Sequence, residues 1–585
     1  MNKKLITLIA LPVLLLTSCT SIFNSTGEAK SLNVYDLDLL EEEKDIETAK
    51  QGEVKARFLN NKEYVPYISL KQYADFYKSH FAKNVESTVK KEGLSNVVWS
   101  VSVDDELCFA AQISVLTKEI YMVGSIDAAF KEDDSPMDTK ALSYGLNTDY
   151  EAIRNGSYNC YDYSGYDINY FSFSGEYYFP LTFFDLTFSE NSGVYFYYNY
   201  NSIYSTHDVD NFSAFKFKVN NKSYTVDSQM KEARMALSMP NYLKQLNANM
   251  FFYLMDNFYG LKENKGFTSM EKLCRNNNIY DGLLSNSASI RAQSYADALS
   301  LFDDNHTALV SANDTWGEDE FGNFKYAPGC INRYKARDQI TSIRASQYKK
   351  MNKDIGDIII SDDGTTAMYV FDSFVFGSSE EVFNADESIN YEKARLSDSF
   401  FDLVYVFNYL KTTSVKNVIL DMSLNGGGVL GVLLKILCLL SKDDRFLFYY
   451  YESNSGQLVL ADNSVDINGD EKYDTDDCFG DDFNFYLLTS DCSFSCGNAL
   501  PCYAKENGLA KIIGQKSGGG ECAIAIHYLP NSQYVYHSSH LHIGNYNENT
   551  KAFTGFEGGA APDIAINNYA DYYDIEKLND LIKTA

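Results

Sequence analysis

A chain of 585 residues is too long for one ordinary domain, and its 45% hydrophobic and 22% charged residues are typical of a globular protein with a sizeable core. Its formal net charge of −30 repels phosphate, which argues against nucleic acid as a partner. The 46 Tyr and 38 Phe suit half-buried strand surfaces, so the composition predicts much β structure.

The N-terminus has the pattern of an export signal. A short basic start precedes an apolar run from Leu5 to Leu16, which is too short to span a membrane comfortably. The run ends in Leu16-Thr17-Ser18-Cys19, which resembles the lipobox of bacterial lipoproteins. We therefore expect a signal peptide over residues 1–19 and a mature protein lipidated at Cys19, anchored outside a bacterial membrane. The alternative is an ordinary signal peptide with an incidental cysteine.

The rest of the chain divides by pattern into four segments. Residues 20–50 are polar and acidic, which favours a flexible tether. Residues 51–230 are predicted to be β-rich, and helical spacing of apolar residues predicts a helical subdomain over 231–310. Strand and helix signals then alternate, which predicts an α/β core over 311–585 with some parallel pairing. The expected fold class is α/β (α+β overall).

Individual elements follow from periodicity and apolar runs. Helices are predicted at Met230–Leu237, Tyr242–Leu261, Ser269–Arg275, Ser289–Phe302, Asp398–Leu410 and Leu430–Leu440. Strands are predicted at Ala367–Phe371, Asn417–Met422 and Asn484–Thr489.

A weak internal repeat lies in the β-rich region. The segment Asn61–Leu70 resembles Ser174–Leu181, and both have the pattern of a turn, a strand and then a short helix. The first copy resembles the small β-hairpin-plus-helix module of copper amine oxidases and of many bacterial envelope proteins. The resemblance implies two binding or spacer modules without copper chemistry.

Four short segments carry residue types that suit acyl transfer. A glycine run after a buried strand brings backbone N–H groups close to whatever docks there, and such donors stabilise an oxyanion. A serine at a strand-to-helix turn suits a nucleophile, a histidine is the usual base, and a carboxylate orients that histidine. Taken singly, a glycine run is usually a turn and a serine-rich stretch is usually a helix cap. The segments are Asp303–Leu309, Ile419–Gly428, Ser493–Ala499 and Glu557–Ile564.

In this order the four segments resemble the tail-specific (C-terminal processing) serine proteases, closest to their tricorn-core-like branch. The resemblance implies a crotonase/Clp-protease-like α/β protease core and a serine-type peptidase that needs no cofactor and acts on proteins or peptides. It places the nucleophile on Ser495, the base on His306 and the acid on Glu557. It places the oxyanion donors on the backbone N–H groups of Cys496 and Gly427.

Two departures from the family pattern are evident. The dyad lysine of many members aligns with Gly520, so a Ser–Lys dyad is not expected and the base is assigned to His306. The acid usual three residues after the nucleophile is Asn498. These departures motivate an alternative, a catalytically impaired lipoprotein that binds peptide or glycan at the cell surface.

An acidic loop before the nucleophile strand has calcium-binding spacing. Oxygen-bearing side chains occupy positions one, three, five, nine and twelve of an EF-hand-like loop. The spacing predicts a structural calcium site, and the alternative is a solvated acidic loop. The ligands are Asp466, Asn468, Asp470, Asp474 and Asp477.

Histidines and cysteines near the C-terminus give weaker signals. His537, His540 and His542 have no carboxylate or cysteine at ligand spacing, so we interpret them as exposed strand residues. The cluster Cys492, Cys496, Cys502 and Cys522 lacks paired zinc-site spacing, which leaves buried thiols or one or two disulfides.

Overall fold

The structure is a computed structural model. It describes residues 27–584 apart from 40–45, 60–61, 132–138, 220–221, 236, 310–315, 317–327, 387, 444 and 471. The predicted signal peptide and Cys19 lie outside the described residues. None of the helices formed by the described residues is both long and apolar enough to cross a membrane.

The first part of the chain is mostly β structure. Its strands are β1 Glu28–Asp36, β2 Lys50–Phe58, β3 Tyr67–Ser69, β4 Val85–Glu92, β5 Asn96–Val103, β6 Glu106–Ser114, β7 Glu119–Gly124, β8 Leu146–Arg154, β9 Asn159–Asp162, β10 Phe171–Phe173, β11 Glu176–Pro180, β12 Tyr195–Tyr198, β13 Ser202–Thr206, β14 Phe217–Val219 and β15 Lys222–Tyr224. Its helices are α1 Leu70–Phe76, α2 Thr139–Ser143, α3 Leu181–Ser192, α4 Asn211–Ala214 and α5 Val226–Arg234.

The second part alternates helices with strands. Its helices are α6 Asn241–Asn257, α7 Met270–Asn276, α8 Tyr280–Leu283, α9 Ala288–Ser300, α10 Pro328–Lys350, α11 Ser379–Val382, α12 Tyr391–Ser397, α13 Ser399–Lys411, α14 Leu430–Leu440, α15 Cys496–Glu506 and α16 Ile575–Thr584. Its strands are β16 Ala308–Leu309, β17 Ile359–Ile360, β18 Thr366–Val370, β19 Asn417–Asp421, β20 Arg445–Glu452, β21 Gln457–Val465, β22 Asn484–Thr489, β23 Ala510–Gly514, β24 Cys522–Tyr528, β25 Tyr534–Asn547, β26 Ala552–Gly555 and β27 Ile564–Ala565.

The predicted α/β core is built on a sheet in the order β17-β18-β19-β22-β23-β27, parallel from β18 onward. Both faces are covered, which explains the continuous apolar run of β19. Val418 and Leu420 pack with α13, α14 and α15, whereas Ile419 packs on the opposite face with α10 and α16. The fold-class prediction is confirmed. The carboxyl ends of β19 and β22 meet at one edge, where crevices for ligands form in parallel sheets.

The predicted helices and core strands are found with small boundary shifts. Helix α14 and strand β22 begin and end at the predicted residues, and α6, α7 and α9 differ from their predictions by a few residues. Helix α6 stops at Asn257, whereas apolar spacing predicted Leu261; Phe258 to Leu261 are mostly buried but lie outside the helix. The buried apolar residues therefore continue past the end of the helix, which is why the predicted helix is too long.

A second sheet joins the predicted β-rich region to the core. Its strand order is β16-β25-β20-β21-β8, with β24 and β26 also paired to β25. Strand β8 pairs along β21, from Leu146 opposite Val465 to Arg154 opposite Leu458. The chain before residue 230 therefore contributes a strand to a sheet whose other members follow residue 307.

The two repeated segments lie side by side. Strands β3 and β11 pair antiparallel, with Tyr67 opposite Pro180 and Ser69 opposite Tyr178. Each strand runs directly into a helix, α1 after β3 and α3 after β11. The pairing lies within the seven-stranded sheet β10-β11-β3-β2-β1-β13-β12. The strand-then-helix pattern of both copies is thus present.

The interpretation of residues 20–50 as a flexible tether is wrong for a large part of that segment. Residues 28–36 form β1, which pairs antiparallel with β2 and parallel with β13. Leu32 is fully buried between these strands and Val34 nearly so. The prediction failed for two reasons. Several residues of β1 face solvent, which makes its composition polar, and one of its partner strands, β13, lies far along the chain.

The cysteines whose side chains the structure describes are all free thiols. Cys496, Cys502 and Cys522 are buried, and Cys492 is half-buried. Within this part of the chain, the structure selects buried thiols over disulfides for the predicted cluster.

Candidate active site

Ser495 lies at the sharp turn between β22 and α15. It is the N-cap of that helix, with φ +57° and ψ −127°, a left-handed conformation that is costly for a residue with a side chain. Its N–H donates to the Gly519 carbonyl at 3.0 Å, which helps to hold the turn. The half-buried Ser495 hydroxyl forms no hydrogen bond with any described residue. A strained serine at a helix N-terminus, partly open to solvent, is a typical setting for a nucleophile.

Ser493 has a structural role in the same turn. Its hydroxyl donates to the Met422 carbonyl at 2.7 Å and accepts the Ser490 N–H at 3.0 Å. These bonds tie the turn that carries Ser495 to the end of β19.

The glycine run after β19 approaches Ser495 closely. A Cβ placed on Gly427, whose φ is +105°, would lie 2.6 Å from Ser495 Cβ and 3.0 Å from its Oγ. Only a glycine fits there. The Gly427 N–H, however, donates to Asn425 Oδ1 at 2.9 Å, so the predicted oxyanion donor is already engaged. The N–H groups of Gly428 and Cys496 have no partner among the described residues, which makes these two the available donors.

His306 lies in the loop between α9 and β16, beside the nucleophile turn. Its ring packs edge-on against Phe494, with 4.8 Å between ring centroids, and it is 4% exposed. Its Nδ1 has no hydrogen-bond partner, and among the described residues no hydrogen bond joins the ring to Ser495. Burial lowers the pKa of His306, against the opposing charge of Asp304. The imidazole is therefore neutral at pH 7, the form that accepts a proton.

Asp304 is a site residue that the sequence reasoning missed. Its Oδ1 accepts the His306 backbone N–H at 2.9 Å. Its Oδ2 accepts the hydroxyls of Tyr259, Thr307 and Ser538 at 3.2, 2.7 and 2.8 Å. The signal was present in the same predicted segment, two residues before His306.

Glu557 lies near this group without bonding to the histidine. One carboxylate oxygen is 3.2 Å from Lys265 Nζ, and the other accepts the Gly520 N–H at 3.0 Å. Burial raises the pKa of Glu557, and the Lys265 charge opposes that rise. No hydrogen bond joins Glu557 to His306 in the described part of the chain. The structure thus brings the predicted nucleophile, base and glycine run together, with Glu557 at their margin.

The two departures from the family pattern have structural roles. Gly520 holds Glu557 through its N–H instead of supplying a base. Asn498 is fully buried; its Nδ2 donates to the Phe556 carbonyl, and its Oδ1 accepts the Ser517 hydroxyl at 2.7 Å. Asn498 therefore fastens α15 to the segment that carries Glu557.

The predicted calcium loop is closed largely by its own backbone. Asp466 Oδ1 accepts the N–H groups of Asn468 and Gly469, and Asp477 Oδ1 accepts the Ile467 N–H at 2.9 Å. Asp470 forms an ion pair with Lys472 at 2.8 Å, and Asp474 Oδ1 accepts a hydrogen bond from the Asp476 N–H. Among the described residues, the carboxylates of this loop are not gathered within ligand distance of one another. Calcium binding here stays a prediction.

Two of the three histidines predicted to be exposed are buried, which corrects that interpretation. His537 is 0% and His542 is 6% exposed. His540 is half-buried; its Nε2 donates to the Asn257 carbonyl at 2.9 Å, and its Nδ1 is hydrogen-bonded to the Ser453 hydroxyl at 2.9 Å. These residues were correctly assigned to a strand, β25, but α3 and the loop after α6 cover it.

The core matches a peptidase family model. Residues 399–566, which include the glycine run, Ser495 and Glu557, match the model of peptidase family S41. His306 and the N-terminal region lie outside the match. None of the curated proteins compared with the chain matches it.

Several solved structures resemble the chain at low identity. A putative peptidase from Parabacteroides merdae is 18% identical over 58% of this chain and 96% of its own, with a TM-score of 0.40. Mature CPAF complexed with lactacystin is 12% identical over 59% and 97%, with a TM-score of 0.35. A lipoprotein from Streptococcus agalactiae is 11% identical over 54% and 94%, with a TM-score of 0.30. With TM-scores below 0.5, these similarities assign no residue role and no substrate to this chain.

Proposed function

We propose that the protein is an extracytoplasmic, lipid-anchored serine peptidase of family S41, the family whose model residues 399–566 match. Its substrates are proteins or peptides, and it uses Ser495 as the nucleophile and His306 as the base. The observation that carries the proposal is the strained Ser495 turn, pressed against a glycine that admits no side chain.

The proposed mechanism is acyl transfer. His306, neutral because it is buried, takes the Ser495 proton as the hydroxyl attacks the peptide carbonyl. The N–H groups of Cys496 and Gly428 bind the oxyanion that forms, and the N-terminus of α15 favours the same negative charge. His306 then returns the proton to the leaving amine, and water releases the acyl group. This mechanism requires a movement of the Ser495 or His306 side chain that forms the hydrogen bond between them.

We assign the orienting charge for His306 to Asp304. This carboxylate holds the backbone of the histidine loop and opposes the lowering of the His306 pKa by burial. Glu557 is retained as the acid that the family resemblance implies, although its carboxylate contacts Gly520 and Lys265 and not the ring. The pH dependence of variants at the two carboxylates distinguishes their roles.

The anchor is proposed from Leu16-Thr17-Ser18-Cys19. We expect mass spectrometry of the protein from membranes of a bacterial host to find an N-terminal peptide that begins at a diacylated Cys19. The change Cys19→Ala should release the protein from the membrane fraction without altering its peptidase activity. An unmodified Cys19 in the membrane-associated protein would refute the anchor.

Calcium binding by the Asp466–Asp477 loop is proposed as a structural feature that catalysis does not use. If the loop binds the ion, saturating calcium should raise the Tm, and a chelator should reverse the rise. Asp470→Ala, at an exposed position, should abolish the shift, because it removes one oxygen ligand without disturbing the buried Asp466 and Asp477. An equal Tm with calcium and with chelator would contradict the site.

A second candidate function is a binding protein that has lost catalysis. It is favoured by one observation, the lack of a hydrogen bond between His306 and Ser495 among the described residues. The peptide or glycan would then bind to the N-terminal sheets. A wild-type protein without peptidase activity, and without covalent labelling at Ser495, would support this function over the first.

A further inference from the structure

Two buried histidines occupy one face of the hairpin formed by β24 and β25. His527 pairs with Val535, and Ala525 pairs with His537, so the histidines are diagonal neighbours across the two strands. Both are 0% exposed. Helix α3 packs on this hairpin and carries Glu190 near its C-terminal end. A strand pair and a helix therefore converge on the two imidazoles.

Donor atoms from the three side chains lie close together. His527 Nδ1 is 3.0 Å from His537 Nε2, and the ring planes differ by 15°. One ligand atom each from Glu190, His527 and His537 lies within 4.8 Å of the others. Glu190 is an exposed residue, so solvent reaches the cluster along its side chain.

The hydrogen bonds leave one buried nitrogen without a partner. His537 Nδ1 is 3.1 Å from the Ser538 carbonyl, which only accepts, so Nδ1 carries the proton and Nε2 offers a lone pair. His527 Nδ1 must then donate to that lone pair, which leaves His527 Nε2 bare. That atom is buried, and its polar neighbour is the Leu186 backbone carbonyl, which can bond to Nε2 only when Nε2 carries a proton. An unpaired buried nitrogen is costly. A cation bound between the rings, at His527 Nδ1 and His537 Nε2, would remove the cost because the His527 proton could then lie on Nε2.

We propose that Glu190, His527 and His537 bind a divalent transition-metal ion, with zinc as the best fit. Two histidines and one glutamate, with a fourth position left for water, are a common zinc ligand set. Zinc–nitrogen bonds of about 2.0–2.1 Å at a tetrahedral angle separate the two nitrogens by about 3.4 Å. The rings need to part by only a few tenths of an ångström. On binding, the His527 proton moves to Nε2, beside Leu186.

The surroundings of the two imidazoles fit this assignment. Both imidazoles are fully buried, and one ligand atom of each lies within 4.8 Å of a Glu190 carboxylate oxygen. The Ser538 carbonyl orients the His537 ring as the outer partner of a metal-bound histidine does.

The proposed ion would brace the histidine loop of the candidate active site. Ser538, which follows His537, donates its hydroxyl to Asp304 at 2.8 Å, and its N–H donates to Thr307 Oγ1 at 3.2 Å. An ion bound by Glu190 and His537 would therefore connect α3 to the strand that supports Asp304 and His306. Metal binding itself does not depend on the peptidase assignment.

Cobalt(II) titration of the purified, untagged protein tests the site. We expect one equivalent to bind with the strong visible absorption of a four-coordinate ion, and zinc to displace it. Glu190→Gln and His537→Gln should each weaken cobalt affinity by about 100-fold or more. Because Glu190 is an exposed residue, its variant should keep the wild-type circular dichroism and Tm.

His542→Gln is the matched control. His542 lies on the same strand but belongs to a separate cluster with Glu521 and Cys522. We expect this variant to bind cobalt as the wild type does. Failure of the wild type to bind, or unchanged affinity in Glu190→Gln, would overturn the proposal. A thiolate-to-cobalt charge-transfer band that disappears in His542→Gln would also overturn the proposal. Such a band would show that the ion binds to Cys522, in the other cluster.

Discussion

Ser495→Ala should abolish peptidase activity on an unfolded protein substrate, with a fall in kcat of about 10⁵–10⁶-fold, because the hydroxyl is the only atom that forms the acyl bond. A fluorophosphonate probe should label the wild type at Ser495 and leave the variant unlabelled. Ser388→Ala, at an exposed serine in the loop before α12, should keep both activity and labelling. Labelling of the Ser495→Ala protein would refute the assignment.

Ser495→Gly separates the nucleophile from the strain that it carries. Glycine adopts φ +57° and ψ −127° at little cost, whereas alanine does not. The glycine variant should be as inactive as the alanine variant but more stable than it to chemical denaturation, by about 1 kcal/mol. Equal stabilities would mean that the turn is relaxed, which would remove the conformational support for a nucleophile.

His306→Ala should lower kcat by about 10³-fold with little change in KM, because the imidazole transfers a proton and is buried beneath the turn. In the wild type, the base must be unprotonated. Activity should therefore be full above the lowered pKa of His306 and be lost as pH falls through it, below the usual value of 6.5. A pH profile of kcat/KM measures this acid limb.

Two carboxylate variants, compared in the same pH profile of kcat/KM, test which acid acts on His306. Asp304→Asn removes the charge that raises the His306 pKa, so the acid limb should move to lower pH. Glu557→Gln should leave the limb in place, since Glu557 bonds to Lys265 and Gly520 and not to the ring. The opposite result would make Glu557 the orienting carboxylate, as the family resemblance implied.

Local patterns predicted much of this fold and part of the site. The apolar run Leu430–Leu440 is long enough to favour a buried helix over a strand, and the glycine run marked a close approach that the structure contains. The strand β1 was missed because its pairing with β13 joins residues that are far apart in the chain. The engagement of Gly427 by Asn425 depends on a side-chain rotamer, which no residue pattern specifies.

The prediction of exposed histidines on β25 failed for a related reason. Period-two alternation says which residues share a face of a strand but not which face another element covers. Helix α3, from the predicted spacer module, covers the hairpin that carries His527 and His537. That contact between distant segments created the cluster on which the metal proposal rests.

Strand β8 makes the peptidase segment indivisible from the rest of the chain. An excised fragment spanning residues 399–566 would present β21 with a free row of N–H and C=O groups where β8 now lies. Such a fragment would self-associate along that edge, and it would also lack His306. Transfer of the family-matching segment alone would therefore leave behind both the strand that pairs with β21 and the histidine of the candidate site.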